Sequence, residues 1–207
     1  MYQAEQRVTA TSRTTSPRIQ TRASGGSSIV GYAAVFYREG VPGTEYALDQ
    51  RGTMIERIAK GAFDRALSER HDVRGLFNHD KNFILGRTSS GTCRLTVDSI
   101  GLRYEIDANP EDPFTAHAIS AIQRQDVSGS SFSMVPTRVR WEDHHKYSIR
   151  YIEDVDLSDV GPVTYPAYQA SSSGIGGWAE LERQKQQTDE VSVRLRMLEL
   201  DEMAANV

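Results

Sequence analysis

Two short segments hold the residue types of nucleophilic catalysis, Asn78-His79-Asp80 and Gly129-Ser130-Ser131-Phe132-Ser133. His79 and Ser131 lie 52 residues apart, each beside strand-like sequence. A serine hydroxyl is a poor nucleophile at neutral pH. It needs a neighbouring base to take its proton and usually a third group to hold that base in the right tautomer. The acid-rich run Glu153-Asp154-Val155-Asp156-Leu157-Ser158-Asp159 follows and offers candidates for the third group. Spacing alone does not prove a triad.

Rival chemistries are weaker. Asp80 beside His79 invites a metal-dependent phosphohydrolase reading, but such a site needs further His and Asp ligands at suitable spacing. His71, His117, His144 and His145 form no ligand motif, so no metal site is expected, and a serine–histidine mechanism would need no organic cofactor either. Residues 128–134 are not the nucleophile elbow of an α/β-hydrolase, which wants Gly-x-Ser-x-Gly between a strand and a helix. Position 133 is serine, and Val135 to Trp141 alternates like a strand. Cys93 reads as a small buried side chain. As the single cysteine it excludes an internal disulfide and a cysteine zinc site. Gly86 to Gly91 lacks the Gly-Lys-Ser/Thr ending of a phosphate loop.

The elements that must position these groups follow from composition and periodicity. At 207 residues the chain can hold one well-buried domain with tails, and its net charge of −4 gives no general reason to expect nucleic-acid binding. No apolar run approaches the roughly 18 residues of a membrane span, and no compact secretory signal is present, so a soluble intracellular protein is expected. Residues 1–25 read as a flexible polar arm, with Arg7, Arg13, Arg18 and Arg22 against the single acid Glu5. An organelle transit peptide shares that composition but is the weaker reading.

A core over residues 26–170 is expected to begin at the strand Ile29–Phe36. Strands are also expected around 55–58 and 74–77, a hairpin at 94–106, and strands near 132–141, 147–155 and 160–165. Helices are predicted at 59–69 and 115–124. Many strands with inserted helices, and no regular βαβ alternation, predict an α+β fold built on an antiparallel barrel or sheet. Residues 171–177 read as a Ser/Gly linker and 178–207 as an appended helical tail.

The order of these pieces resembles the phage prohead (capsid maturation) serine proteases of the HK97 type. The likeness runs through Gly31-Tyr32-Ala33-Ala34-Val35-Phe36, Glu56-Arg57-Ile58-Ala59-Lys60-Gly61-Ala62-Phe63-Asp64, Asn78-His79-Asp80 and Leu85-Gly86-Arg87-Thr88. It continues through Gly101-Leu102-Arg103-Tyr104, Asp126 to Phe132, Trp141 and Arg150-Tyr151-Ile152, and closes on Leu157 to Tyr168. It covers roughly residues 29 to 170.

The resemblance implies His79 as general base, Ser131 as nucleophile and Asp159 as the third member, with Asp154, Asp156 and Glu153 as substitutes. It implies a herpesvirus-protease-like barrel, antiparallel strands surrounded by helices. The task it implies is cleavage of the scaffold portion of the major capsid protein inside the immature shell in the host cytoplasm, with self-cleavage. The capsid protein is then substrate and docking partner and a homodimer is possible, while a membrane or a specific nucleic acid is not expected. The terminal arms would tether the enzyme to the scaffold and be trimmed afterwards.

Two departures stand out. The family's Ser-Phe-Gly-Phe-Arg is Ser131-Phe132-Ser133-Met134-Val135, and its Val-Ser is Val160-Gly161. Arg138 or Arg140 would then have to stabilise the oxyanion, or the chain is an inactive relative that serves as an internal scaffold.

Overall fold

The computed structural model describes residues 4–9, 14–23, 25–49 and 51–165. In chain order these form β1 (Glu5–Thr9), β2 (Arg18–Thr21), β3 (Ser27–Val35), β4 (Tyr46–Ala47), β5 (Met54–Ile58) and α1 (Asp64–Ser68). There follow β6 (Arg74–Leu76), β7 (Ile84–Arg87), β8 (Cys93–Val97), β9 (Gly101–Ala108), α2 (Pro113–Gln123), β10 (Gly129–Asp143) and β11 (Ser148–Val163).

The strands make two sheets. One has seven strands along β1-β10-β11-β5-β4, with β6 pairing both β11 and β7; the other has four in the order β2-β3-β9-β8. Pairing is antiparallel except where β11 runs parallel to β5 at one end and to β6 at the other. Among the described residues the fold is therefore mostly β with two short helices, and their hydrogen-bonded strands do not close into one ring.

Between the sheets lies a core of Phe36, Phe63, Leu102, Tyr104, Ile106, Phe132 and Met134. The Phe63 and Phe132 rings meet edge to face at 5.8 Å, a favoured aromatic geometry. β9 shows the alternation of a half-buried strand, with Leu102, Tyr104 and Ile106 inward. α2 starts where Asp112 accepts a hydrogen bond from the Thr115 backbone N–H at 2.9 Å, with Pro113 in the first turn.

Three expectations change. The helix predicted at 59–69 is only Asp64–Ser68, because residues 59–63 turn: the Ala62 and Asp64 amides donate to Ala59 and Gly61 carbonyls. The runs at 147–155 and 160–165 are one strand, since Asp156 to Asp159 continue the ladder against β10. The flexible-arm reading fails for residues 5–9 and 18–21, which are β1 and β2. β1 is ordered although polar because Glu5, Arg7 and Thr9 point inward and find partners there. The linker at 171–177 and the tail at 178–207 lie outside the described residues.

Candidate active site

β10 and β11 place two of the three candidate residues. Their antiparallel register sets Ser131 opposite Gly161 and Ser133 opposite Asp159, so Ser131 and Asp159 stand near each other on adjacent strands. The third is carried by the turn after β6. There Asp80 and Phe83 donate backbone N–H groups to Phe77 and Asp80 carbonyls, and the Asp80 carboxylate accepts from the Asn82 amide at 2.8 Å. Asp80 is thus a turn former.

His79 sits in this turn with φ +57°, and Asn78 before it has φ +55°. Left-handed backbone is uncommon outside glycine and persists only where the surroundings hold it. Here they do. The Asn78 amide donates to the Pro162 carbonyl at 3.0 Å. Its side-chain nitrogen donates to Thr164 Oγ1 at 2.9 Å, and its side-chain oxygen accepts from the Thr164 N–H at 2.7 Å. The turn is pinned by three bonds to the end of the strand that carries Asp159.

Gly161 permits that close approach. A Cβ at this position would lie 1.9 Å from the Leu76 carbonyl oxygen, so a serine here would push β6, and the His79 turn with it, off β11. Ser133 needs no glycine either, since it lies in β10 and its φ is not positive.

The outcome is a linear chain of contacts. His79 Nδ1 is 2.5 Å from Asp159 Oδ1, and His79 Nε2 is 2.5 Å from Ser131 Oγ. Asp159 and Ser131 are both buried, Ser131 at 0 % exposure. A carboxylate on one ring nitrogen fixes that nitrogen as the donor and leaves the other to exchange a proton with the hydroxyl. The Ser131 hydroxyl also donates to the Arg7 backbone carbonyl of β1 at 2.8 Å.

The other acids are engaged elsewhere. Asp154 and Asp156 accept from Arg65 at 2.7 Å each, and Glu153 meets Arg138 and Arg140 at 3.3 Å. Burial raises the Asp154 carboxyl, but hydrogen bonds from Thr137 and Arg65 outweigh this and hold it below its ordinary value. Arg138 and Arg140 follow Ser131 by seven and nine residues along β10. That is roughly 20 Å or more at strand spacing, so neither can reach an oxyanion at Ser131, and that expectation is withdrawn.

Cys93 is buried, and burial pushes its thiol up to about 12, far from thiolate chemistry at neutral pH. His71 faces Glu69, His117 packs on Phe77, and His144 stacks on Tyr147. No group of three or more His, Cys, Asp or Glu among the described residues is placed to hold a metal ion. No helix among them is long and apolar enough to cross a membrane.

Beside the site lies a cluster that sequence reasoning missed. Arg7 Nε meets Glu56 Oε1 at 2.6 Å and Arg7 Nη2 meets Glu5 Oε2 at 2.5 Å. Arg150 Nη1 lies 2.9 Å from Glu5 and 3.0 Å from Glu56. Burial alone would lower the Arg7 guanidinium's pKa, but the charges of Glu56 and Glu5 hold it above its ordinary value. Burial likewise raises the Glu5 carboxyl, and the hydrogen bonds and charges of Arg150 and Arg7 bring it below its ordinary value.

Residues 15–190 match the family described as caudovirus prohead serine protease. Among solved structures, the bacteriophage T4 capsid assembly protease is similar at a TM-score of 0.44 and 13 % identity, covering 79 % of this chain and 98 % of that one. No curated protein matches the chain.

Proposed function

The chain belongs to the caudovirus prohead serine protease family, and from that premise we propose that Ser131 is its nucleophile, His79 its general base and Asp159 the acid that orients the base. The observation that supports this is the pair of 2.5 Å contacts, Asp159 to His79 and His79 to Ser131. His79 Nε2 takes the hydroxyl proton as Ser131 Oγ attacks a peptide carbonyl carbon. The tetrahedral intermediate collapses, the C–N bond breaks, and the imidazolium returns its proton to the leaving amine. Water then attacks the acyl-enzyme with His79 again as base, releasing the acid and restoring Ser131. Asp159 holds Nδ1–H toward itself throughout and stabilises the charged ring.

The substrate on this reading is the scaffold portion of the major capsid protein inside the prohead, together with the protease's own chain. The two sheets are read as an opened herpesvirus-protease-like barrel. Thr9 of β1 donating to the Ala33 carbonyl of β3 at 2.5 Å supports that reading, as it links the edge of one sheet to the other. Residues 178–207, joined through 171–177, would serve as a tether to the shell interior.

Co-expression with the capsid protein of the same genome, with intact masses compared between the unaltered chain and Ser131→Ala, tests the assignment. Shortened capsid protein and trimmed protease with the unaltered chain alone are expected. Equal masses with both overturn it and leave the internal-scaffold reading.

A further inference from the structure

A protease nucleophile has to meet a peptide carbonyl, yet Ser131 is 0 % exposed. β1 contributes to that cover. It pairs with β10 in antiparallel register, Arg7 opposite Phe132 and Val8 opposite Ser131, and the Arg7 carbonyl oxygen accepts a hydrogen bond from the serine hydroxyl at 2.8 Å. The hydroxyl has one proton for two neighbours. While the hydroxyl donates to Arg7, its proton points away from His79 Nε2. The three residues are assembled, but the proton that His79 would take is engaged by another acceptor.

β1 is also built to leave. It is the edge strand of its sheet, so its backbone ladder joins β10 alone, and beyond that it is held by the Thr9 bond to Ala33 and by side-chain pairs to Glu56 and Arg150. It brings one acid and one base, Glu5 and Arg7, to a cluster in which the rest of the fold supplies one of each, Glu56 and Arg150. An unpaired buried charge is what makes breaking such clusters costly. Withdrawal of β1 leaves Glu56 paired with Arg150 at 3.0 Å and carries Glu5 and Arg7 away together, 2.5 Å apart.

Resting on Ser131 as nucleophile, we propose that β1 occupies the place of the substrate. The substrate is an extended peptide that adds to β10 as an antiparallel strand where β1 now lies, and the enzyme stays closed until β1 withdraws. Adding a strand to an exposed sheet edge is an established mode of peptide recognition, with main-chain hydrogen bonds supplying affinity.

The test uses the full chain and the rate at which a fluorophosphonate labels Ser131. Gln6 and Ser133 are register partners, so Gln6→Cys with Ser133→Cys staples β1 to β10, and buried Cys93 does not compete. The oxidised protein is expected to label at least tenfold more slowly than the same protein after reduction. Arg7→Ala, which loosens β1, is expected to label at least tenfold faster than the unaltered chain. Equal rates for oxidised and reduced protein, or no gain in a folded Arg7→Ala, overturn the proposal while leaving Ser131 as nucleophile. If Ser131 takes no label in any form, its assignment as nucleophile falls and this proposal falls with it.

Discussion

The two ends of β10 share a strand and little else. From Gly129 to Met134 every residue is buried, with Phe132 and Met134 in the core while Ser131 lies beneath His79 and β1. From Thr137 to Asp143 the strand is exposed or half-buried, and Arg138 and Arg140 pair with Glu153 across the hairpin. Both ends carry polar side chains bonded to neighbours, so bonding alone does not mark a site. What differs is solvent. At the buried end each contact is dry and fixes a position, while at the exposed end water competes for both partners and little depends on any one pair.

The largest contrast should come from Asp159→Asn. Its amide would no longer fix Nδ1–H toward Oδ1, and kcat is expected to fall by about 10³–10⁴ with Tm nearly unchanged. Gly161→Ser should come next and strike both properties. With 1.9 Å from Cβ to the Leu76 carbonyl, the strands must separate. About 1–3 kcal/mol of stability is expected to be lost, and kcat/KM to fall roughly 100-fold as His79 moves. An unchanged Tm in urea or heat would show that β6 shifts without cost.

Asn78→Ala removes two side-chain bonds to Thr164 and leaves alanine at a positive φ. A loss of about 1–2 kcal/mol is expected, with Asn78→Gly regaining the backbone part but not the bonds. Denaturant midpoints for the two variants separate these contributions. Acid should loosen β1 more gently. Glu5 has a lowered value in the fold, so its contribution is fully present above the unfolded value of about 4.3 and is lost as pH falls through the lower folded value. Amide-exchange protection at residues 5–9 is expected to fall in that window. The smallest effect belongs to the exposed end, where Arg140→Ala should change stability by less than about 0.5 kcal/mol and activity not at all.

The sequence offers His79, Ser131 and Asp159 as candidates through residue type and through the order of motifs shared with the family, and the fold brings the three within hydrogen-bond reach. The sequence also reveals β3 as a continuous apolar run, and β9 and α2 because their buried faces are apolar and recur at strand or helix period. β1 escapes that test. Its buried face is Glu5, Arg7 and Thr9, and a pattern of inward charges cannot be told from a solvated arm until the partners at Glu56 and Arg150 are known. β11 is divided in the reading for a similar reason, since Asp154, Asp156 and Ser158 interrupt its apolar run while its backbone ladder continues. The Asn78–Thr164 bonds span 86 residues and leave no local trace.

The reach of β1 to Ser131 also sets an order of events in time. Arg7 and Ser131 are 124 residues apart, whereas His79 stands 52 from Ser131 and the β10–β11 hairpin closes locally at Asp143 and Ser148. Pairings across long stretches of chain form late, because the loop must close before the contact rewards it. The β1–β10 ladder is therefore expected to close after the β10–β11 hairpin. If Ser131 reacts as proposed, a molecule in which that ladder has not yet closed holds its triad uncovered, so the most recently folded copies are expected to label fastest with a fluorophosphonate.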